Sequence, residues 1–205
     1  MSANTPPVLP HFIANAHVQS SSASCRVNTN PGTGEPIASI PLDDTAAAES
    51  AVQAAAAAFP SWSSTPVGDR IQPLFKYKSI LEKHVDELAE IIVKEHGKTT
   101  AEAIGSVRRG IDCIEHACGA PVLMMGRTLP QIAVSSSFCR TEDEGGVGID
   151  SSVDRLPIGV CVGITPFNFP MMVPLWMWPM AVACGNTFVL KPSERDPMST
   201  VRAME

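Results

Sequence analysis

Residues 157–195 read PIGVCVGITPFNFPMMVPLWMWPMAVACGNTFVLKPSER, and the organisation of this stretch decides the fold. Ile158 to Ile164 is a continuous apolar run rather than an alternating one, the pattern of a strand buried on both faces. Pro170 to Cys184 is apolar all round and of helix length, Gly185-Asn186 is a helix stop, and Thr187 to Leu190 is a second short apolar strand. Strand, helix and strand in that order make a βαβ unit, so the expected class is α/β with a parallel sheet. Asp196-Pro197 then caps a further helix that runs to Glu205.

Working back from this unit, Ile149 to Arg155 reads as a strand, preceded by a polar, turn-rich loop over 126–148 that holds Glu142-Asp143-Glu144 and Gly145-Gly146. Thr99 with Glu102 is a capping box that opens a helix whose stripe Ile104, Val107, Ile111, Ile114 and Cys118 extends to about Met125. Thr65-Pro66 opens one long helix with a stripe from Ile71 to Ile92, stopped by Gly97. Asp43 and Asp44 cap an alanine-rich helix ended by Pro60. The turn Asn30-Pro31-Gly32-Thr33-Gly34 joins strands near Cys25 to Val27 and Pro36 to Leu42 into a hairpin. Residues 1–24, Ser-rich from Ser20 to Ser24, read as a flexible leader. There is no internal repeat.

The chain has 205 residues, 44% of them hydrophobic and 18% charged, enough for a core of its own and wrong for a disordered or fibrous protein. A net charge of −6 gives no general attraction to nucleic acid or anionic lipid. Six cysteines at spacings unlike zinc pairs or a secreted scaffold read as reduced thiols of an intracellular protein, and no metal site is expected. The uncharged interval between Arg155 and Lys191 is long enough to span a bilayer. Pro166, Pro170, Pro174 and Pro179 interrupt it, so a buried core segment is the better reading and no membrane partner is expected.

Ligands of open parallel sheets bind beyond the carboxyl ends of the strands, here Thr165-Pro166-Phe167-Asn168 and Lys191-Pro192-Ser193-Glu194. The Asn168 amide either donates to a developing oxyanion or closes an Asx-turn that serves only its own loop, and spacing alone favours the turn. Lys191 and Glu194 either grip a ribose or form a solvated charged turn, again with the plainer reading ahead. The usual phosphate-cradling motifs are absent, so the βαβ unit by itself supports only a generic nucleotide fold.

Gly163-Ile-Thr-Pro-Phe-Asn-Phe-Pro170, Trp176 to Pro179 and Cys184-Gly-Asn-Thr-Phe-Val-Leu-Lys-Pro-Ser-Glu-Arg195 together resemble the aldehyde dehydrogenase superfamily. Phe167, the run Met171 to Pro179, and Glu95-His-Gly-Lys-Thr99 resemble its CoA-acylating branch, which oxidises methylmalonate and malonate semialdehydes. Asn30 to Glu35 and Ala117-Cys-Gly119 fit the same family, so the resemblance covers the chain from about residue 26 onward. It implies the amino-terminal part of that family's fold, with helices leading into an incomplete Rossmann-like parallel sheet. The division it implies is a leader over 1–24, the hairpin and helical part of an NAD-binding domain over 25–125, a loop and partial oligomerisation strand over 126–156, and the start of the Rossmann-like unit over 157–205.

The chemistry implied is NAD-dependent oxidation through a thioester that coenzyme A resolves, giving propionyl-CoA or acetyl-CoA from a carboxylated semialdehyde. Carried over by position, Asn168 is the oxyanion donor, and Thr165, Phe167, Lys191, Glu194 and Arg195 line the NAD site, which reverses the plainer readings above. The nucleophilic cysteine motif is matched by none of the six cysteines. The chain therefore resembles an amino-terminal fragment expected to be inactive alone. The resemblance also implies a homotetramer when full length and a mitochondrial setting, with the cytoplasm as alternative. A different class of function, a non-catalytic dinucleotide-binding or subunit-interaction module of the same fold, is the rival reading.

Overall fold

The computed structural model describes residues 6–42, 45–134 and 148–205. The expected cap at Asp43 and Asp44, Cys139, and the Glu142–Gly146 part of the expected loop lie outside them. The described part of the expected leader, residues 6–24, has structure: β1 (His11–Ile13) and β2 (Ala16–Val18) form a hairpin whose turn residues Ala14 and Asn15 both adopt positive φ. The next hairpin is as expected, with β3 (Cys25–Thr29) antiparallel to β4 (Pro36–Pro41). Its turn is held by Asn30, whose Oδ1 accepts from the Gly32 amide at 2.8 Å.

Helices α1 (Thr45–Ser64), α2 (Val67–Lys83), α3 (Val85–His96) and α4 (Thr100–Ala117) follow. Two expectations are corrected. α1 runs through Pro60 instead of stopping there, because the turn beyond is anchored from outside: Trp62 Nε1 donates to the Val182 carbonyl at 2.9 Å. The single long helix expected between Thr65 and Gly97 is broken at His84, whose amide turns back to the Leu81 carbonyl at 3.0 Å. One residue of interruption barely shifts a 3.6-residue period, so Leu81, Leu88 and Ile92 stay on one buried stripe. The capping box of α4 is present in both directions between Thr99 and Glu102. Its helix ends at Ala117 rather than near Met125, and Cys118-Gly119 leads into the short α5 (Ala120–Leu123).

The loop expected over 126–148 is also corrected. β5 (Arg127–Val134) pairs antiparallel with β6 (Gly148–Val153), with a register irregularity between Leu129 and Ala133. Pro130 falls in that irregularity, where a missing amide costs no ladder bond, and Gln131 takes positive φ with its amide donating to Asp150 Oδ1 at 2.8 Å.

The βαβ unit forms as the sequence predicts: β7 (Val160–Ile164), α6 (Met172–Ala183) and β8 (Thr187–Lys191), with β7 and β8 parallel. β7 is not buried on both faces, however. Val162 and Ile164 are exposed because no described element covers their side of the two-stranded sheet. The core lies instead between α6 and the helices α2, α3 and α4, with Leu74, Leu88, Ile92, Val107, Ile114, Met171 and Leu175 buried together. At Gly110 a Cβ would stand 2.6 Å from Leu175 Cδ1, so that glycine lets α4 and α6 approach. The chain closes with α7 (Met198–Met204). Asp196 does not cap it: its carboxyl oxygens accept from none of the helix amides, and Glu95 accepts from Met198 instead. Among the described residues no helix is long and apolar enough to cross a membrane.

Candidate dinucleotide site

The register pairs Ile164 with Lys191, and the Thr165 amide donates to the Lys191 carbonyl at 3.1 Å, so both strands end at one level. The loops beyond them leave side by side. The other end of the pair is fixed by Asn186, read in the sequence only as part of a helix stop. Its buried Oδ1 accepts from the Ile158 and Gly159 amides at 2.7 and 3.1 Å, while its Nδ2 donates to the Ala181 carbonyl at 3.2 Å.

In the first loop Thr165 is buried, with a hydroxyl that has no hydrogen-bond partner among the described residues. Asn168 is exposed and its side chain makes no hydrogen bond among the described residues, so the Asx-turn alternative is not what the loop uses. The backbone of Asn168 is held from the helical layer: Lys98 Nζ donates to its carbonyl at 2.7 Å. Lys98 also lies 4.0 Å from the ring centre of Phe169, and the Arg109 guanidinium lies 5.4 Å from it. Partial burial lowers the Lys98 pKa from its ordinary value.

In the second loop Lys191 Nζ meets Glu194 Oε2 at 3.0 Å across an exposed pair. The Glu194 carboxyl is held below its ordinary pKa, first by its own backbone amide and then by the Lys191 ammonium. The two loops touch where the Arg195 guanidinium sits 4.7 Å from the ring centre of Phe167. The Arg195 carbonyl accepts from Asn28 Nδ2 of β3 at 2.7 Å, and its amide donates to Ser193 Oγ at 3.1 Å.

Thr165, Phe167, Asn168, Lys191, Glu194 and Arg195 therefore share one edge of the sheet. Lys98, Arg109 and Asn28 were not legible as members, because each reaches the loops from an element far away in sequence. The edge combines an uncommitted amide, an orphaned buried hydroxyl, several cations and a carboxylate kept ionised. Cations suit phosphate and carboxylate groups, and an ionised carboxylate suits the paired hydroxyls of a ribose. Burial pushes the thiols of Cys113, Cys118 and Cys184 up, so none of these is an activated nucleophile. No group of three or more metal-binding side chains occurs among the described residues.

Comparison with known proteins adds four findings. Residues 17–205 match the model of the aldehyde dehydrogenase family. The chain is 50% identical over 197 residues to malonate-semialdehyde dehydrogenase 1 of Geobacillus thermodenitrificans, covering 96% of this chain and 38% of that protein. Among solved structures it resembles a methylmalonate-semialdehyde dehydrogenase of Oceanimonas doudoroffii, with a TM-score of 0.87, 43% identity and coverage of 96% of this chain and 38% of the other. It also resembles a Sinorhizobium meliloti 1021 protein solved with NAD, with a TM-score of 0.89, 36% identity and coverage of 100% and 39%. The chain thus spans about 38% of the length of the relatives it matches. Its curated relatives include proteins of Geobacillus and Bacillus, cells without mitochondria, which overturns the expected mitochondrial setting and leaves the cytoplasmic alternative.

Proposed function

The chain belongs to the aldehyde dehydrogenase family, and from that premise we propose that the whole protein oxidises malonate or methylmalonate semialdehyde with NAD and passes the acyl group to coenzyme A. The observation that carries this reading is the shared edge of β7 and β8, with an uncommitted Asn168 amide in the loop after β7 and the Lys191–Glu194 pair in the loop after β8. The edge fits a dinucleotide: Thr165 has a buried hydroxyl without a partner, and the loops present both cations and an ionised carboxylate. When bound, NAD supplies the two-electron acceptor.

Within this reading Lys191 and Glu194 hold the ribose hydroxyls, and the Arg195–Phe167 stack keeps the two loops in register around the dinucleotide. Asn168 donates its amide to the oxygen that gains charge when a thiolate adds to the aldehyde, a contribution of roughly 2.7–4 kcal/mol for a well-placed donor. Lys98 fixes the backbone from which that amide projects. Arg109, beside Phe169 on the same side, supplies the positive charge a carboxylated semialdehyde needs. The thiolate itself is assigned to none of the six cysteines here. An antiparallel arm formed by β5 and β6 is the natural piece for assembly into an oligomer.

A second reading is a dinucleotide-binding or subunit-interaction module without chemistry, in which the same strand edge holds the dinucleotide and no thiolate acts beside it. Steady-state assays of the whole protein with each semialdehyde, with and without CoA, separate the possibilities. The expected result is NADH formation that depends strongly on CoA. Equal turnover without CoA sinks the acyl-transfer assignment, and no turnover with either aldehyde favours the module.

A further inference from the structure

The segment Glu95-His-Gly-Lys-Thr99 resembles one branch of the family, yet Glu95 has no part in the chemistry above. Its position is unusual for a carboxylate. It sits in the last turn of α3, only 5% exposed, and the Met198 amide at the start of α7 donates to both its oxygens, at 2.9 and 3.2 Å. Six residues, 192–197, link Met198 to Lys191. One end of this loop is fixed by the β7–β8 ladder and the other by Glu95, while Asn28 holds its middle through the Arg195 carbonyl.

We propose that Glu95 is the positioning residue for the loop that carries Glu194 and Arg195, seating it against α3 and so setting how tightly Lys191 and Glu194 hold the dinucleotide. The inference rests on the dinucleotide reading of the site. A buried amide left without an acceptor is costly, so loss of the Glu95 carboxyl frees the loop at one end. In the wild-type protein the charged group that acts on Glu95 is the like-charged Asp196 within the loop, while the neutral Asn28 of β3 and the Met198 and Ser199 amides donate to it; Asp196 in turn is flanked by Lys98 from the α3–α4 junction, Glu194 and Arg195. Burial, reinforced by Asp196, pushes the Glu95 carboxyl up to about 8, and burial pushes Asp196 up to about 7.

The direction of the pH effect follows. An unseated, hydrated loop returns both carboxyls toward their ordinary values of 4.5 and 3.8, so the seated loop binds more protons. Seating is thus favoured at low pH and weakens as pH rises from the ordinary carboxylate range through about 8, where Glu95 ionises. Dinucleotide affinity falls over the same interval.

The test uses the whole protein as wild type, Glu95→Ala, Glu95→Gln and Lys191→Ala, with KM for NAD, kcat and amide hydrogen exchange of 191–198 measured from pH 6 to 9. Glu95→Ala is expected to raise KM for NAD about tenfold with kcat within about twofold, and to speed exchange in 191–198 without speeding it in α3 or α4. Glu95→Gln keeps an acceptor for the Met198 amide without the charge. It should restore affinity and remove the part of the pH dependence that runs up to about 8, leaving the part that Asp196 contributes. The proposal is overturned if Glu95→Ala leaves both affinity and loop exchange unchanged, or if its losses spread through α3 and α4 and Gln does not rescue them. If Lys191→Ala leaves NAD affinity intact while loop exchange still responds to Glu95, the dinucleotide reading fails and the seating of the loop stands. If Lys191→Ala weakens NAD binding and Glu95→Ala changes neither readout, only the role of Glu95 fails.

Discussion

Asn168 shows what a single residue contributes when its loop is braced by others. Its carbonyl is tied to Lys98 and its side chain is left free, so truncation of the side chain removes a donor without loosening the backbone. In the whole protein Asn168→Ala should lower kcat by about 10²–10³-fold, because the amide is needed only where charge develops. Measured NAD affinity should hardly change. A variant with normal turnover and weakened NAD binding contradicts the role given to Asn168. The residue types at the strand ends were legible in the sequence, but their significance came only through the family resemblance: taken alone, a Lys, a Glu and an Asn in polar loops are more often solvated turns than ligands. What separates the two cases is the partner each side chain lacks or has. Lys98 lies 70 positions before Asn168, and Glu95 lies 103 before Met198, distances over which no local pattern carries information.

Elements were legible in proportion to how far their stability is local. The βαβ unit announces itself through composition, and the capping box of α4 is written in residues three apart. By contrast, α1 continues past Pro60 only because Trp62 finds a carbonyl on α6, and β5 exists only because β6 pairs with it around Pro130. A similar distant dependence governs the entrance to β7. Asn186→Ala leaves the Ile158 and Gly159 amides without their acceptor at a partly buried site, and should destabilise the whole protein by about 1–3 kcal/mol. Chemical denaturation with an unaltered midpoint for this variant shows that water replaces the asparagine at little cost. The break between α2 and α3 was invisible for a different reason: the hydrophobic stripe survives it.

At the scale of the molecule, the helical layer is well filled while one side of the sheet is not. Leu156, Ile158, Val162 and Ile164 are all more than half exposed, the first two at 78% and 87%. Apolar surface of this kind near an unpaired strand edge drives association. Residues 1–205 produced alone should self-associate and bind an apolar dye, and sedimentation of a dye-free monomer would count against that expectation. The hydrogen bond from Asn28 to the Arg195 carbonyl has a consequence for the newly made chain. Its two ends are 167 positions apart, so at ordinary translation rates the β3–β4 hairpin waits roughly 10–30 s on the ribosome before the residue it must grip has been added. The earliest strand of the site is thus among the last to be completed, and during that wait a side chain destined for burial stays in water.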